Sequence, residues 1–256
     1  MILFESEKHQ AVQSEDGSYT AYSKEYGEHY HSTKDGALKE SYQKHVIPAF
    51  NAMTNKNEVT ILDICYGLGF NALCSLLYYK TNAPHVKLNI YSPELDSELV
   101  KSLKNFTYPK EFDKFREIIL KLSEDGVYED ENFYMEIFLG DAREYVRRFE
   151  NKFDIVYQDA FSPSANPLLW TREYFRDIKN AMKQDGILTT YSIALKTRLA
   201  LHENGYKVYV NSEEGIRDST IASCLELQNF KLVDVEHKSF CNPDTQSLRD
   251  DDAFSR

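Results

Sequence analysis

The sequence predicts an α/β fold: a mostly parallel, seven-stranded, Rossmann-like sheet with an antiparallel C-terminal hairpin and a small N-terminal extension. Three observations carry this. A β-branched apolar run, Val59-Thr60-Ile61-Leu62-Asp63-Ile64, ends in the glycine-rich turn Cys65-Tyr66-Gly67-Leu68-Gly69 and passes into a helical pattern from Asn71. That order is the first strand, nucleotide loop and first helix of an open α/β sheet. Strands predicted at 59–64, 86–92, 133–139, 153–158, 187–192, 206–210 and 219–225 then alternate with helices at 71–79, 94–104, 111–122, 142–149, 168–182 and 195–204. Such alternation means a parallel sheet covered on both faces. Finally, only residues 211–218 separate the last two strands. A parallel crossover needs a dozen or more residues, so these strands pair antiparallel.

A sheet that ends this way is the arrangement of class I S-adenosyl-L-methionine-dependent methyltransferases, and not the plain dinucleotide-binding one. The loop agrees. A dinucleotide fingerprint wants G-x-G-x-x-G, the third glycine allowing tight helix–strand packing. Here Gly67-x-Gly69-x-Asn71 stands alone, with Cys65 where a first glycine would be. The spacing D-x-x-x-G-x-G from Asp63 suits S-adenosylmethionine, which brings no phosphate to cradle. The glycines let a ligand approach the backbone where no Cβ intervenes. Asp63, Gly67, Gly69 and Asn71 are therefore expected at the cofactor; the bland alternative is a structural turn with Asp63 capping locally.

The N-terminal part differs in texture, with Tyr19, Tyr22, Tyr26, His29, Tyr30, His31, Tyr42 and His45. Residues 18–22 read as a short strand after the Asp16-Gly17 turn, and 38–53 as a helix with Tyr42, Val46 and Phe50 on one face. Pro48 kinks that helix or ends its first part. The expected division is an extension over 1–55, a methyltransferase domain over 56–240 and a polar tail over 241–256.

Bulk properties narrow the class. With 256 residues, 42% apolar content and a mean hydropathy of −0.54, the chain reads as one full domain plus an extension. Its apolar runs are strand-sized, and its first residues lack the basic region and apolar core of a signal peptide, so a cytoplasmic protein off the membrane is expected. Cys65, Cys74, Cys224 and Cys241 show no metal-ligand spacing; reduced thiols and no metal are expected. A net charge of −11 argues against broad nucleic-acid binding. The charge is uneven, with acids Glu124, Asp125, Glu129, Asp130 and Glu131 in one stretch and bases such as Arg143, Arg147, Arg172 and Arg198 in the next, so one basic face can still meet RNA.

Ligands of open α/β sheets sit at strand carboxyl ends. The second strand ends near Glu94, an acceptor for ribose hydroxyls or a helix-start acid. The third ends at Asp141, an acceptor for an adenine amino group or an N-cap. The fourth ends in Gln158-Asp159-Ala160-Phe161-Ser162-Pro163, the most specific chemical signal in the chain. An amine attacks a sulfonium methyl only when neutral, so an acceptor must hold its proton. Asp159 fills that role, Phe161 stacks on a base and Pro163 stiffens the loop; Asp159 is also expected near the cofactor.

At this point the chain resembles the methyltransferase part of the tRNA 5-methylaminomethyl-2-thiouridine biosynthesis proteins, the MnmC family. The resemblance rests on Tyr22-Ser23-Lys24-Glu25-Tyr26-Gly27-Glu28-His29-Tyr30-His31-Ser32, on Asp63 through Asn71, and on Asp159-Ala160-Phe161-Ser162-Pro163 with Asn166-Pro167 and Trp170-Thr171. It runs from about residue 17 to 225, and the family's own loop variant includes Cys65. It implies methyl transfer from S-adenosylmethionine to the aminomethyl group of a wobble uridine in the tRNA anticodon stem-loop. It places Gly67, Gly69, Glu94 and Asp141 at the cofactor, and Asp159, Phe161 and Pro163 at the methyl-transfer centre. Glu28, Tyr30 and His31 close over the pocket, or alternatively pack against the sheet edge. Arg217 meets a phosphate, or pairs with Asp218 or Glu213; Lys196, Arg198 and Lys207 are expected near the same end of the sheet.

The bifunctional proteins carry an oxidase after the methyltransferase, and no second glycine-rich fingerprint follows here, so a stand-alone methyltransferase supplied by separate enzymes is expected. Three rivals stand beside this reading. A small-molecule amine or polyamine methyl- or aminopropyltransferase would suit the acidic charge. A non-catalytic RNA-binding module would bind no cofactor. An NAD-dependent oxidoreductase lacks its third glycine.

Overall fold

The computed structural model describes residues 7–53 and 56–254. Residues 1–6, 54–55 and 255–256, which belong to the expected extension and tail, lie outside the described residues. β1 (His9–Gln13), β2 (Tyr19–Ser23) and β3 (Glu28–His29) form a small antiparallel sheet. α1 (Ala37–Ser41), a π-helical turn (Tyr42–Val46) and α2 (Ile47–Ala52) follow without a break. The expected helix is thus present, and Pro48 does not end it. Ile47 N–H bonds back to Tyr42 O, a widened turn just before Pro48, whose ring leaves no N–H to donate to the helix.

The main domain runs β4 (Glu58–Ile64), α3 (Phe70–Asn82), β5 (Lys87–Glu94), α4 (Ser97–Ser102), α5 (Arg116–Asp125), β6 (Val127–Glu129), β7 (Phe133–Leu139), α6 (Ala142–Val146), β8 (Phe153–Gln158), α7 (Arg172–Ala181), β9 (Met182–Thr190), α8 (Leu195–Glu203), β10 (Lys207–Asn211), β11 (Ser219–Ser223), β12 (Lys231–Leu232), α9 (Val235–Phe240) and α10 (Asp250–Phe254). The sheet order is β12-β10-β11-β9-β8-β4-β5-β7-β6. β9, β8, β4, β5 and β7 are parallel, and β11 slots antiparallel between β9 and β10. The seven predicted strands therefore have the predicted pairing, and the count rises to nine because short β6 and β12 border the two edges. The predicted 111–122 helix opens as a 3-10 turn (Lys110–Phe115) before α5.

β4 is buried along all but its first residue, which is why it reads as a continuous apolar run and not an alternation. One core layer joins α3, α4, α5 and the extension; Phe70 meets Phe112, Phe106 and Tyr108 there. The other lies under α6, α7 and α8 around Trp170, Phe153 and Phe175. Each buried ring of this kind contributes about 1.5–3 kcal/mol. The last residues also dock. Leu248 and Ala253 are buried, and Arg143 holds Asp250 through two bonds of 2.9 and 2.6 Å.

The chain leaves β4 outward through β5 and β7 and returns to β8 on β4's other side. The carboxyl ends of β4 and β8 consequently flank the switch in strand order, where the sheet opens a crevice.

Candidate active site

That crevice is a cavity of about 1260 Å³. Its floor is the loop after β4. Cys65, Gly67 and Gly69 all take positive φ, at 66°, 55° and 77°. Gly69 N-caps α3, and a Cβ there would come within 2.5 Å of the Tyr66 hydroxyl. Cys65 is a non-glycine residue in the left-handed region, an uncommon state that turns the chain out of β4. Burial, then Glu94 and Asp159, pushes its thiol well above the ordinary range, so it is an inert packing group. All four cysteines are free.

Glu94 closes β5. Its Oε2 accepts from Gly67 N–H at 2.9 Å, and its Oε1 from Leu95 and Asp96 N–H at 2.8 and 2.9 Å. A carboxylate offers about four acceptor sites, so one remains on the oxygen beside Gly67. Asp141 lines the cavity and also N-caps α6, its Oδ1 accepting from Arg143 and Glu144 N–H at 2.7 and 3.2 Å. Both sequence-based alternatives for it are thus compatible, because Oδ2 stays available.

At the cavity wall Asn71 joins Asp159, which faces the space, to Asp63, which is buried behind it. Asn71 Nδ2 donates to Asp159 Oδ2 at 2.8 Å and reaches Asp63 Oδ1 at 3.4 Å. Burial, reinforced by the neighbouring Asp159, drives the Asp63 carboxyl well above the usual range. Burial also pushes Asp159 up, but His45, His31 and the Asn71 amide outweigh it and hold Asp159 below its ordinary value. Two carboxyls this close do not both ionise readily. The environment divides their roles: Asp63 is buried and pushed toward its protonated form, and Asp159 is held toward its anionic form at the cavity.

Asp159's second oxygen faces His45, which sequence reading did not single out. His45 is fully buried on the π-helical turn; its Nε2 stands 3.4 Å from Asp159 Oδ1 and its Nδ1 2.9 Å from Thr189 Oγ1. Its only visible signal was membership of a Tyr/His-rich segment.

The extension supplies the roof. Glu28 accepts from Ser162 N–H at 2.9 Å and from the Ser162 hydroxyl. Tyr30 packs against Phe161 and its hydroxyl meets His9 Nε2 at 3.0 Å. His31 is buried against Phe70, and burial lowers its affinity for a proton. All three line the cavity. Phe161 lines it too, already stacked on Tyr26 with ring centroids 4.7 Å apart, a second aromatic that sequence reading left unassigned.

Pro163 is a correction: it does not line the cavity. Ser162 O accepts from Ala165 and Asn166 N–H, forming a tight turn with Pro163 at its corner. That turn carries Pro163 away from Asp159 and brings Asn166 back. The loop is pinned by Trp170 Nε1–H to Phe161 O at 2.7 Å and Tyr191 O–H to Ala160 O at 3.0 Å. Arg217 is exposed at the cavity mouth. Among the described residues it forms no ion pair, with Asp218 instead accepting from Ser212 Oγ at 2.7 Å. Lys207 is a second correction. It begins β10, opposite Ser223, and so lies at the far end of the sheet beside Glu226. Arg198 is buried on Thr220 Oγ1 and faces inward; only Lys196 stays exposed near the mouth.

The lining suits S-adenosylmethionine. Three acids, Glu94, Asp141 and Asp159, face one space, an acceptor set for a cationic group carrying hydroxyl and amino donors. Asp63, expected at the cofactor, is a third correction: it is fully buried beneath Asn71 and does not line the cavity. Asp63 Oδ2 and Asn71 Oδ1 are buried without partners beside it. Among the described residues no group of three or more histidines, cysteines, aspartates or glutamates is arranged to hold a metal ion.

Comparison with known proteins agrees with this geometry. The S-adenosyl-L-methionine-dependent methyltransferase family matches residues 107–225. An uncharacterized protein of Methanocaldococcus jannaschii is 32% identical over 226 residues, 88% of this chain and 62% of that protein. The bifunctional tRNA 5-methylaminomethyl-2-thiouridine biosynthesis protein MnmC of Azoarcus is 28% identical over 76% of this chain and 32% of its own length. The chain thus spans 62% and 32% of the lengths of these curated relatives, less than two thirds of either. Spermidine synthase from Thermotoga maritima, at 18% identity and a TM-score of 0.55, shares the fold. The crystal structure of MnmC2 from Aquifex aeolicus superposes with a TM-score of 0.83 and 32% identity, over 97% of this chain and 81% of that one. On that similarity the chain belongs to the MnmC-type family of S-adenosyl-L-methionine-dependent methyltransferases.

Proposed function

We propose that this methyltransferase acts on the primary amine of 5-aminomethyl-(2-thio)uridine at the tRNA wobble position, giving 5-methylaminomethyl-(2-thio)uridine. The observation that carries it is Asp159: an anionic carboxylate at the end of β8, aimed by Asn71 into an acid-lined cavity. The printed name of the MnmC relatives supports the nucleoside. S-adenosylmethionine supplies an activated methyl group.

The residues of the chain do the rest. Glu94 and Asp141 hold the cofactor's hydroxyl and amino donors, above a floor formed by Gly67 and Gly69. Asp159 accepts an N–H of the amine and aims its lone pair, a contribution of orientation as much as of proton transfer. Phe161, backed by Tyr26, offers a ring for the uracil of a nucleotide turned out of the anticodon loop. Glu28 and Tyr30 hold the roof against Ser162 and Phe161 and exclude water. Lys196 and Arg217 at the mouth meet the phosphate backbone. A tRNA acceptor implies a cytoplasmic protein; no helix among the described residues is long and apolar enough to cross a membrane.

The test is transfer of labelled methyl from S-adenosylmethionine to tRNA lacking wobble-uridine methylation, followed by nucleoside mass analysis. The expected product is 5-methylaminomethyluridine, thiolated or not. Cofactor binding without transfer to tRNA would overturn the substrate and direct attention to polyamines, which the acidic cavity also suits.

A further inference from the structure

Amine methylation requires a destination for one proton, and the inference below rests on the amine-acceptor reading above. An alkylamine arrives mainly as its ammonium at neutral pH and must lose a proton before its lone pair can attack. Asp159 alone is a weak base for that task. Behind it, sealed from solvent, stands His45. Thr189 Oγ1, 2.9 Å from Nδ1, can donate or accept, so it satisfies that nitrogen in either tautomer and leaves Nε2 free to take or give a proton. Nε2 is buried and faces Asp159 Oδ1 at 3.4 Å. A carboxylate and an imidazole nitrogen this close in a dry site can share one proton between them.

We propose that His45 is the proton-holding and positioning partner of Asp159. The ammonium N–H bond breaks and its electron pair stays on the amine nitrogen. The proton passes through the Asp159 carboxylate to His45 Nε2, where a new N–H bond forms. The carboxylate–imidazole pair goes from one net negative charge to neutral, and the proton leaves to water when the cavity reopens. The surroundings suit a transient imidazolium. Asp159 faces it from the sheet, the Tyr157 ring lies edge-on at 5.5 Å, and the Lys44 charge is matched by Glu40 at 2.5 Å. His31, the remaining titratable neighbour, is buried against Phe70. A π-helical turn placing this ring is a common device at functional sites.

The test pairs kinetics with nitrogen NMR. His45→Gln keeps an amide donor near the Nε2 position but cannot take a proton. It should leave cofactor affinity by calorimetry within about twofold, yet slow methyl transfer at pH 7 roughly 10²-fold. That deficit should shrink toward wild type as pH approaches the amine's own pKa, because the substrate then arrives neutral. Independently, nitrogen NMR of the His45 imidazole at fixed pH should show its Nε2 signal change between wild type and Asp159→Asn, because the carboxylate that exchanges its proton is gone. A deficit that stays constant with pH, or a His45 Nε2 signal indifferent to Asp159→Asn, overturns the relay while leaving the methyltransferase reading intact. Wild-type enzyme that binds cofactor but methylates no amine at any pH overturns the amine reading, and the relay's role with it.

Discussion

The strand-end loops and the N-terminal extension line one cavity from opposite sides, and they were encoded differently. The loops carry their chemistry beside their structural signals: Gly67 and Gly69 follow β4, Glu94 ends β5, and Asp159 follows β8. Local sequence alone puts those groups at one edge of the sheet. The extension contributes through distant contacts. Glu28 reaches Ser162, 134 residues away, and His45 reaches Thr189, 144 residues away. The lesson is that the loops define what can bind, whereas the extension sets how Asp159 is held and how the roof closes. Each side can be disturbed separately.

The largest effect should come from the loops. Asp159→Ala is expected to lower kcat about 10³-fold while cofactor affinity stays within a few-fold, read by labelled methyl transfer and calorimetry. Near-normal turnover would remove Asp159 from the reaction and collapse the comparison. Next, Gly69→Ala forces a side chain to φ 77° and into the Tyr66 hydroxyl. It should cost about 1–3 kcal/mol, seen as a melting temperature several degrees lower together with weaker cofactor binding.

On the extension side, Glu28→Ala frees Ser162 N–H and its hydroxyl. The loss of these bonds should cost about 1–3 kcal/mol of roof closure. We expect the KM for the acceptor to rise roughly tenfold with a smaller change in kcat. An unchanged KM would mean that the roof does not depend on this contact.

The mildest effect is acid loosening of the extension alone. Burial foremost lowers the pKa of both His9 and His31. Asp96, Lys8, Glu25 and Glu98 surround His9; Glu40, Asp159, His45 and Lys44 surround His31. The folded extension therefore prefers neutral rings. Its stability is fully present above the ordinary histidine value of about 6.5 and is lost as pH falls through that value toward the lower folded ones. Hydrogen exchange corrected for intrinsic rates should accelerate over residues 9–31 on going from about pH 7.5 to about pH 5.5, and stay flat over β4 and β8. Equal acceleration on both sides would erase the distinction drawn here.

How much was legible follows the same line. β7 and β8 fall at their predicted bounds, 133–139 and 153–158, because strands buried in a parallel sheet read as apolar runs. The loop was readable because only glycine takes such φ values freely, and the strand-end acids because an open sheet always presents that edge. Pro163 was misplaced, since a tight turn's direction depends on which carbonyls receive its N–H groups. Lys207 was misplaced because which end of the sheet a strand begins at follows from the direction in which it pairs.

By itself, then, the sequence determined the sheet, its terminal hairpin, the glycine loop and the acids that face a cationic cofactor. All of these follow from periodicity and from the conformational limits of single residues. Only the tertiary structure decided that burial raises Asp63 while partners lower Asp159, that Tyr26 backs Phe161, and that a histidine in a Tyr/His-rich segment stands behind Asp159. Those outcomes depend on burial and on partners far away in the chain, and neither leaves a repeating mark in the residues nearby.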